Sequence, residues 1–167
     1  MTERNTVKAT FTLERRYRAP PTRVFQAFAE EDAKSKWFGG PDGWEQLEKA
    51  FDFRVDGVEV LVGRHPNGVV SAFRCTYHDI VPGERIVYAY RMELDGVPMS
   101  SSLATVEIRP DGDGSQLTLT EYGVYFDGFR EEAHEGREHG TGWLLDRLGA
   151  SLEGREAPPF PGYPGKR

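Results

Sequence analysis

Between Glu45 and Phe126 the chain is broken five times by turn signals: VDG, HPNG, VPGE, LDG and PDGDG. In each, Gly or Asn supplies a positive φ or Pro presets the bend. The pieces between them, EQLEKAFDFR, VEVLVGR, VVSAFRCTYHDI, RIVYAYRMEL, SSLATVEIR and SQLTLTEYGVYF, carry the alternation and β-branched content of strands. Connections this short join only antiparallel neighbours. An earlier alternating run, VKATFTLERRYR (7–18), adds a seventh strand. Its apolar positions Ala9, Phe11 and Leu13 share one face.

Such a sheet has an apolar face that must be covered. The segment from Asp127 to about Leu152 repeats Thr141, Leu144, Leu145, Leu148 and Leu152 at helical spacing and supplies the cover. Shorter helical signals follow strand one: APPTRVFQAFAE, with Pro20 and Pro21 where a first turn tolerates them, then Lys36, Trp37 and Phe38, ended by GGPDG. The expected fold is α+β, a helix-grip arrangement in which a curved antiparallel seven-stranded sheet wraps a long C-terminal helix, with short helices after strand one. Residues 1–154 are expected to form a single domain. Residues 155–167, a Pro/Gly-rich tail, cannot continue the helix and are expected to be mobile or draped on the surface.

Composition narrows the function. Asp and Glu number 27 against 21 Lys and Arg, a net charge of −6, which disfavours nucleic acid and anionic membranes as partners. The single Cys75 excludes an intramolecular disulfide and a Cys-rich zinc site, and reads as a buried, inert thiol. Neither an apolar leader nor a membrane-length apolar run is present, so a cytoplasmic protein is expected. No metal-ligand spacing, nucleophile elbow or phosphate loop is found, and no cofactor is expected.

Four stretches carry a resemblance: APPTRVFQAFAE, KWFGG, DIVPGERIVYAY and SQLTLTEYG. Together they resemble the START-like superfamily, also called SRPBCC or Bet v 1-like, and within it the "activator of Hsp90 ATPase homologue 1-like" group, from about Thr10 to Leu152. The resemblance implies a cavity between sheet and long helix. The superfamily uses that cavity for lipids, hormones, polyketides and other apolar molecules, sometimes with catalysis. Two departures stand out. Many relatives place a Trp on the long helix where this chain has Thr141, and Trp143 follows two residues later, about 200° around the helix. Trp143 is therefore expected to leave the sheet-facing stripe, and Thr141 to open space. The co-chaperone that names the group also carries a separate N-terminal domain that nothing here resembles, so Hsp90 activation is not expected.

The candidate ligand-binding residues are Trp37, Phe38, Phe73, Tyr77, Tyr88, Tyr90, Met92, Glu121, Arg137, Thr141 and Leu144. Tyr88, Tyr90 and Met92 share a strand face with Ile86, and Phe73, Cys75 and Tyr77 do so on the preceding strand, giving aromatic, soft walls with phenolic hydroxyls. Glu121 continues the alternation of Leu117 and Leu119, and Arg137 lies on the helical stripe of Thr141, Leu144 and Leu148. Two arrangements satisfy this pattern. Either the two charges pair as the polar floor of a pocket, or Arg137 snorkels to solvent and Glu121 sits at the open end of the sheet. His139 is expected to face solvent or a neighbouring loop. His134 is the other histidine candidate for acid–base work, and His65 and His78 read as turn and outward-strand residues. Gly136, Gly140 and Gly142 weaken the start of the long helix, where an entrance is expected.

The expected function is binding of a small apolar or amphipathic molecule. A cyclase, dehydratase or hydrolase using Glu121 with Arg137 or His139 is the alternative, and a co-chaperone-like interaction module the third reading. Edge strands also make a homodimer an expectation.

Overall fold

In the computed structural model, residues 4–129 and 131–162 are described. The elements run β1 (Thr6–Tyr17), α1 (Pro21–Ala29), α2 (Glu31–Ser35), β2 (Glu45–Phe51), β3 (Val58–Arg64), β4 (Val70–Val81), β5 (Arg85–Leu94), β6 (Val97–Asp111), β7 (Gly114–Phe126) and α3 (Glu131–Glu153). The seven strands form one curved antiparallel sheet in the order β1-β7-β6-β5-β4-β3-β2. The meander follows the turn signals, and β1 closes it by pairing with β7 from Thr6↔Phe126 to Tyr17↔Ser115.

Turn chemistry sets the register. Asp95 and Gly96 both take positive φ, 50° and 78°, between the paired residues Leu94 and Val97; this two-residue primed turn matches the twist of its strands. Register shifts at Tyr77/Asp79 in β4 and Met92/Glu93 in β5 add the curvature that lets the sheet wrap a helix.

The core lies between the sheet, α1 and α3. Val24, Ala27 and Phe28 of α1 and Leu145 and Leu148 of α3 are buried against Phe11, Val106, Ile108, Leu117 and Leu119. Helix α3 is fastened to β1 by polar links: the Tyr17 hydroxyl donates to Leu145 O at 2.8 Å, and Arg15 Nε meets Asp146 Oδ1 at 2.7 Å. It ends at Gly154 (φ 65°), with Arg155 N donating to Ala150 O at 2.9 Å, a glycine cap that returns the chain toward the domain.

The tail is surface-draped over residues 155–162. Trp143 Nε1 donates to Pro158 O at 3.1 Å, and its ring meets Phe160 edge-on at 5.1 Å. Of the two arrangements expected for the tail, mobile or draped, this stretch takes the second, folding back on α3 because Trp143 offers it an apolar seat. Among the described residues no helix is long and apolar enough to cross a membrane.

Candidate functional site

The inner face of the sheet changes character along β6 and β7. The inward pairs progress from Val106↔Leu119 through Ala104↔Glu121 and Ser102↔Gly123 to Ser100↔Tyr125. Bulk falls as far as Ser102↔Gly123 before Tyr125 restores it, and polarity rises from Ala104↔Glu121 onward. Helix α3 likewise begins with Gly136 and Gly140 before its leucines. Small residues on both sides leave a cavity of about 370 Å³, within the roughly 300–1,000 Å³ usual for small-molecule sites.

Phe38, Leu61, Phe73, Tyr88, Met92 and Leu144 make most of its wall apolar. Gly39, Gly40 and Pro41, from the GGPDG stretch, form its rim together with Trp44. The rim is tight: a Cβ on Gly40 or Gly63 would fall 2.2 or 1.9 Å from the Trp44 side chain, so both glycines are needed for the indole to sit where it does. Arg147 braces the opening from α3, donating to Gly40 O at 3.3 Å and lying 4.7 Å from the Trp143 ring centre.

One end of the cavity is polar. Arg137 Nη1 donates to the Tyr90 hydroxyl at 2.9 Å, which donates to Glu121 Oε1 at 2.6 Å. Arg137 Nη2 donates to Ser100 Oγ at 2.8 Å. The direct ion-pair contact, Arg137 Nη1 to Glu121 Oε2, is 3.7 Å. Charges do pair in the interior, with Glu121 2% exposed, but through a phenol and not by the two-pronged contact that guanidinium and carboxylate favour. Glu121 Oε2 and Ser102 Oγ are buried and make no hydrogen bond among the described residues. Burial pushes the Glu121 carboxyl above its ordinary value of 4.5, and the Arg137 charge and the Tyr90 and nearby Ser102 hydroxyls offset this only in part. Burial also raises Tyr90 and Tyr88 well above the usual phenol value, so both stay neutral donors.

Of the sequence candidates, Trp37, Phe38, Phe73, Tyr88, Tyr90, Met92, Glu121, Arg137, Thr141 and Leu144 line the cavity. Tyr77 does not. Its hydroxyl is taken by Glu59, which also receives Lys34 Nζ at 2.6 Å. The strand alternation put Tyr77 on the inner face correctly, but α2 covers that part of the sheet. Trp143 borders the cavity as well as Thr141, because the returning tail holds its indole at the rim. His139 and His78 are exposed. His134 packs its ring 6.4 Å from that of Tyr125, with Nδ1 buried and unpartnered among the described residues. His65, read as a turn residue, sits in that turn yet edges the cavity, with Nε2 2.9 Å from Ser71 Oγ; burial lowers its pKa. Cys75 is 2% exposed, and burial pushes its thiol up to about 12. Among the described residues no group of three or more His, Cys, Asp or Glu could hold a metal ion.

Sequence reasoning missed Lys34, Glu59, Ser100, Ser102 and Trp44. Signals existed: Lys34 precedes Trp37 and Phe38 by three and four positions, Glu59 alternates with Leu61, and Ser100 and Ser102 continue the inward series of Ala104, Val106 and Ile108.

Comparison with known proteins agrees with this architecture. A crystal structure of a Rhizobium loti protein is 44% identical, covers 89% of this chain and 99% of its own, and superposes with a TM-score of 0.81. A putative uncharacterized protein from Rhizobium leguminosarum is 36% identical over 92% of this chain and 100% of its own, with a TM-score of 0.86. A Chromobacterium violaceum protein is 30% identical over 86% and 96%, with a TM-score of 0.71. No curated protein matches at a significant level. The family model described as "Activator of Hsp90 ATPase homolog 1-like protein" matches residues 18–153. With that match and the helix-grip architecture, the chain belongs to the activator of Hsp90 ATPase homologue 1-like family of the START-like (SRPBCC) superfamily.

Proposed function

We propose that the protein binds a small amphipathic molecule between the sheet and α3, its apolar body against the aromatic walls and a hydroxyl or N–H group donating to Glu121. The observation that carries this reading is Glu121, a carboxylate in the cavity lining whose buried Oε2 makes no close hydrogen bond among the described residues, with only the nearby Ser102 hydroxyl and the Arg137 guanidinium at 3.7 Å beside it. Such an atom is costly unless something donates to it. Arg137 already neutralises the carboxylate, so the pair favours an uncharged ligand over a cation. The family's fold commonly serves hydrophobic ligands, which supports the same reading.

Native mass spectrometry of the purified protein, followed by organic extraction, tests it. A retained small molecule carrying a hydroxyl or N–H group is expected, and its loss from Glu121→Gln/Arg137→Met with the fold retained assigns the site. A ligand that remains bound to that variant unaltered places binding elsewhere.

A second reading, proton transfer by Glu121 on the bound molecule, is favoured by its raised carboxyl pKa, which brings it toward the range of a general acid or base. Conversion of the extracted molecule by the wild-type protein and not by Glu121→Gln supports it, and conversion that survives the substitution removes Glu121 from the chemistry.

A further inference from the structure

A second buried charge borders the same cavity. Lys34, on α2, is 9% exposed and Glu59, on β3, 4%. Lys34 Nζ lies 2.6 Å from Glu59 Oε1 and 3.3 Å from the Tyr77 hydroxyl, which itself donates to Glu59. An ammonium has three donor hydrogens, and these two acceptors use two. The nitrogen also stands 4.6 Å from the centre of the Phe38 ring, and Phe38 and Lys34 both line the main cavity. A smaller cavity of about 200 Å³ lies on the other side, sharing Lys34, Phe38, Gly39, Gly40, Trp44 and Leu61 with the first. Lys34 therefore stands in the partition between them.

Stability does not explain this pair. Replacing a buried ion pair by well-packed apolar side chains is often neutral or stabilising, and the chain just after α2 already packs into the core through Trp37. Nor is the pair remote from Glu121. From the Lys34 ammonium it is 4.6 Å to the Phe38 ring, 5.0 Å on to the Phe73 ring and 5.0 Å on to Tyr90, whose hydroxyl holds Glu121. One aromatic row connects the two polar ends.

We propose that Lys34 is a second recognition point in the cavity, and that the ligand is an elongated molecule with an oxygen-bearing group at each end and an apolar middle. One end donates to Glu121 Oε2, the apolar middle lies along Phe38 and Phe73, and an oxygen at the other end accepts from the third Lys34 hydrogen in place of the weaker contact with the Phe38 ring. The inference rests on the binding function proposed above and adds the chemistry of the ligand's far end.

Nile red displacement by a series of α,ω-alkanediols, from hexanediol to dodecanediol, and by the matching n-alkanols tests it. In the wild-type protein one diol length should bind about tenfold more tightly than its alcohol, roughly what one hydrogen bond to a charged group is worth. In Lys34→Met/Glu59→Gln, which leaves no lone charge behind, that preference should vanish while alcohol affinity is kept. Equal binding of diols and alcohols by the wild-type protein overturns the proposal while leaving the cavity reading intact, and needs no variant to fold. A diol preference that persists in the folded double variant overturns it too. Nile red that is displaced by neither series overturns the cavity reading and this inference together.

Discussion

Arg137 reaches Glu121 through Tyr90: the phenol accepts from the guanidinium at 2.9 Å and donates to the carboxylate at 2.6 Å, while the charges themselves stay 3.7 Å apart. Tyr90→Phe keeps the ring and removes both bonds at once. A loss of about 1–3 kcal/mol in chemical denaturation is expected, the cost of leaving buried polar groups unpaired. The Glu121 pKa, followed by carboxyl NMR, should rise further, since the Tyr90 bond favours the ionised form.

Removing Arg137 alone is harsher. Arg137→Met leaves a carboxylate that is 2% exposed without its counter-charge, which should cost about 3–5 kcal/mol. Glu121→Gln/Arg137→Met should be milder than that single change, because no unpaired charge remains. Denaturation of both variants checks the order, and effects below about 1 kcal/mol would describe a solvated pair.

The sign of the pH dependence follows from the raised Glu121 pKa. The folded protein holds a proton that the unfolded chain has already released, so this contribution to stability is full below the ordinary value of 4.5 and is lost as pH climbs through the folded value. Against Glu121→Gln, the wild-type protein should therefore lose stability progressively in a denaturation series taken upward from pH 4.5.

Thr141 lines the cavity from α3. Thr141→Trp should weaken Nile red binding at least about tenfold by occupying space, with a stability cost below about 1–3 kcal/mol because the added ring enters a void and not a filled core. Unchanged affinity in a folded variant would put the binding site elsewhere.

Cys75 gives a check that needs no ligand. With its thiol buried and its pKa pushed up to about 12, it should resist alkylation at neutral pH and react only as fast as the domain opens. Labelling rates across a denaturant series should follow global unfolding.

The fold was legible because its signals are local and agree with one another. VEVLVGR and RIVYAYRMEL coincide with β3 and β5, and LDG predicts the turn after β5. For Glu121 and Arg137, period two and period 3.6 give a direction but left two arrangements open, an inward pair or an Arg137 that reaches solvent, and only the tertiary structure decides for the pair. Three kinds of residue escaped. Tyr77 points the right way, but what lies above it depends on where α2 lands, and no periodicity encodes that. Lys34 and Glu59 sit 25 residues apart on elements whose contact is purely tertiary, and although local spacing turns each toward the core, nothing local pairs them. Trp143 was expected to turn from the sheet; its seat under Phe160 depends on a tail whose composition promised no structure.

Gly140 keeps part of the cavity open from the side of α3. It lines the cavity, and a Cβ built there would meet nothing within 4 Å. Alanine at this position should strengthen the helix by about 1 kcal/mol and place one methyl group in the cavity where the proposed ligand would lie. Emptiness here is thus held at the expense of helical order, and the two are exchangeable in single-carbon steps. A lineage could retune which molecules fit by trading glycine for alanine along α3, gaining robustness with each narrowing and leaving the sheet, the rim and the charged ends in place. Selectivity in such a protein is inherited in its backbone as much as in its side chains.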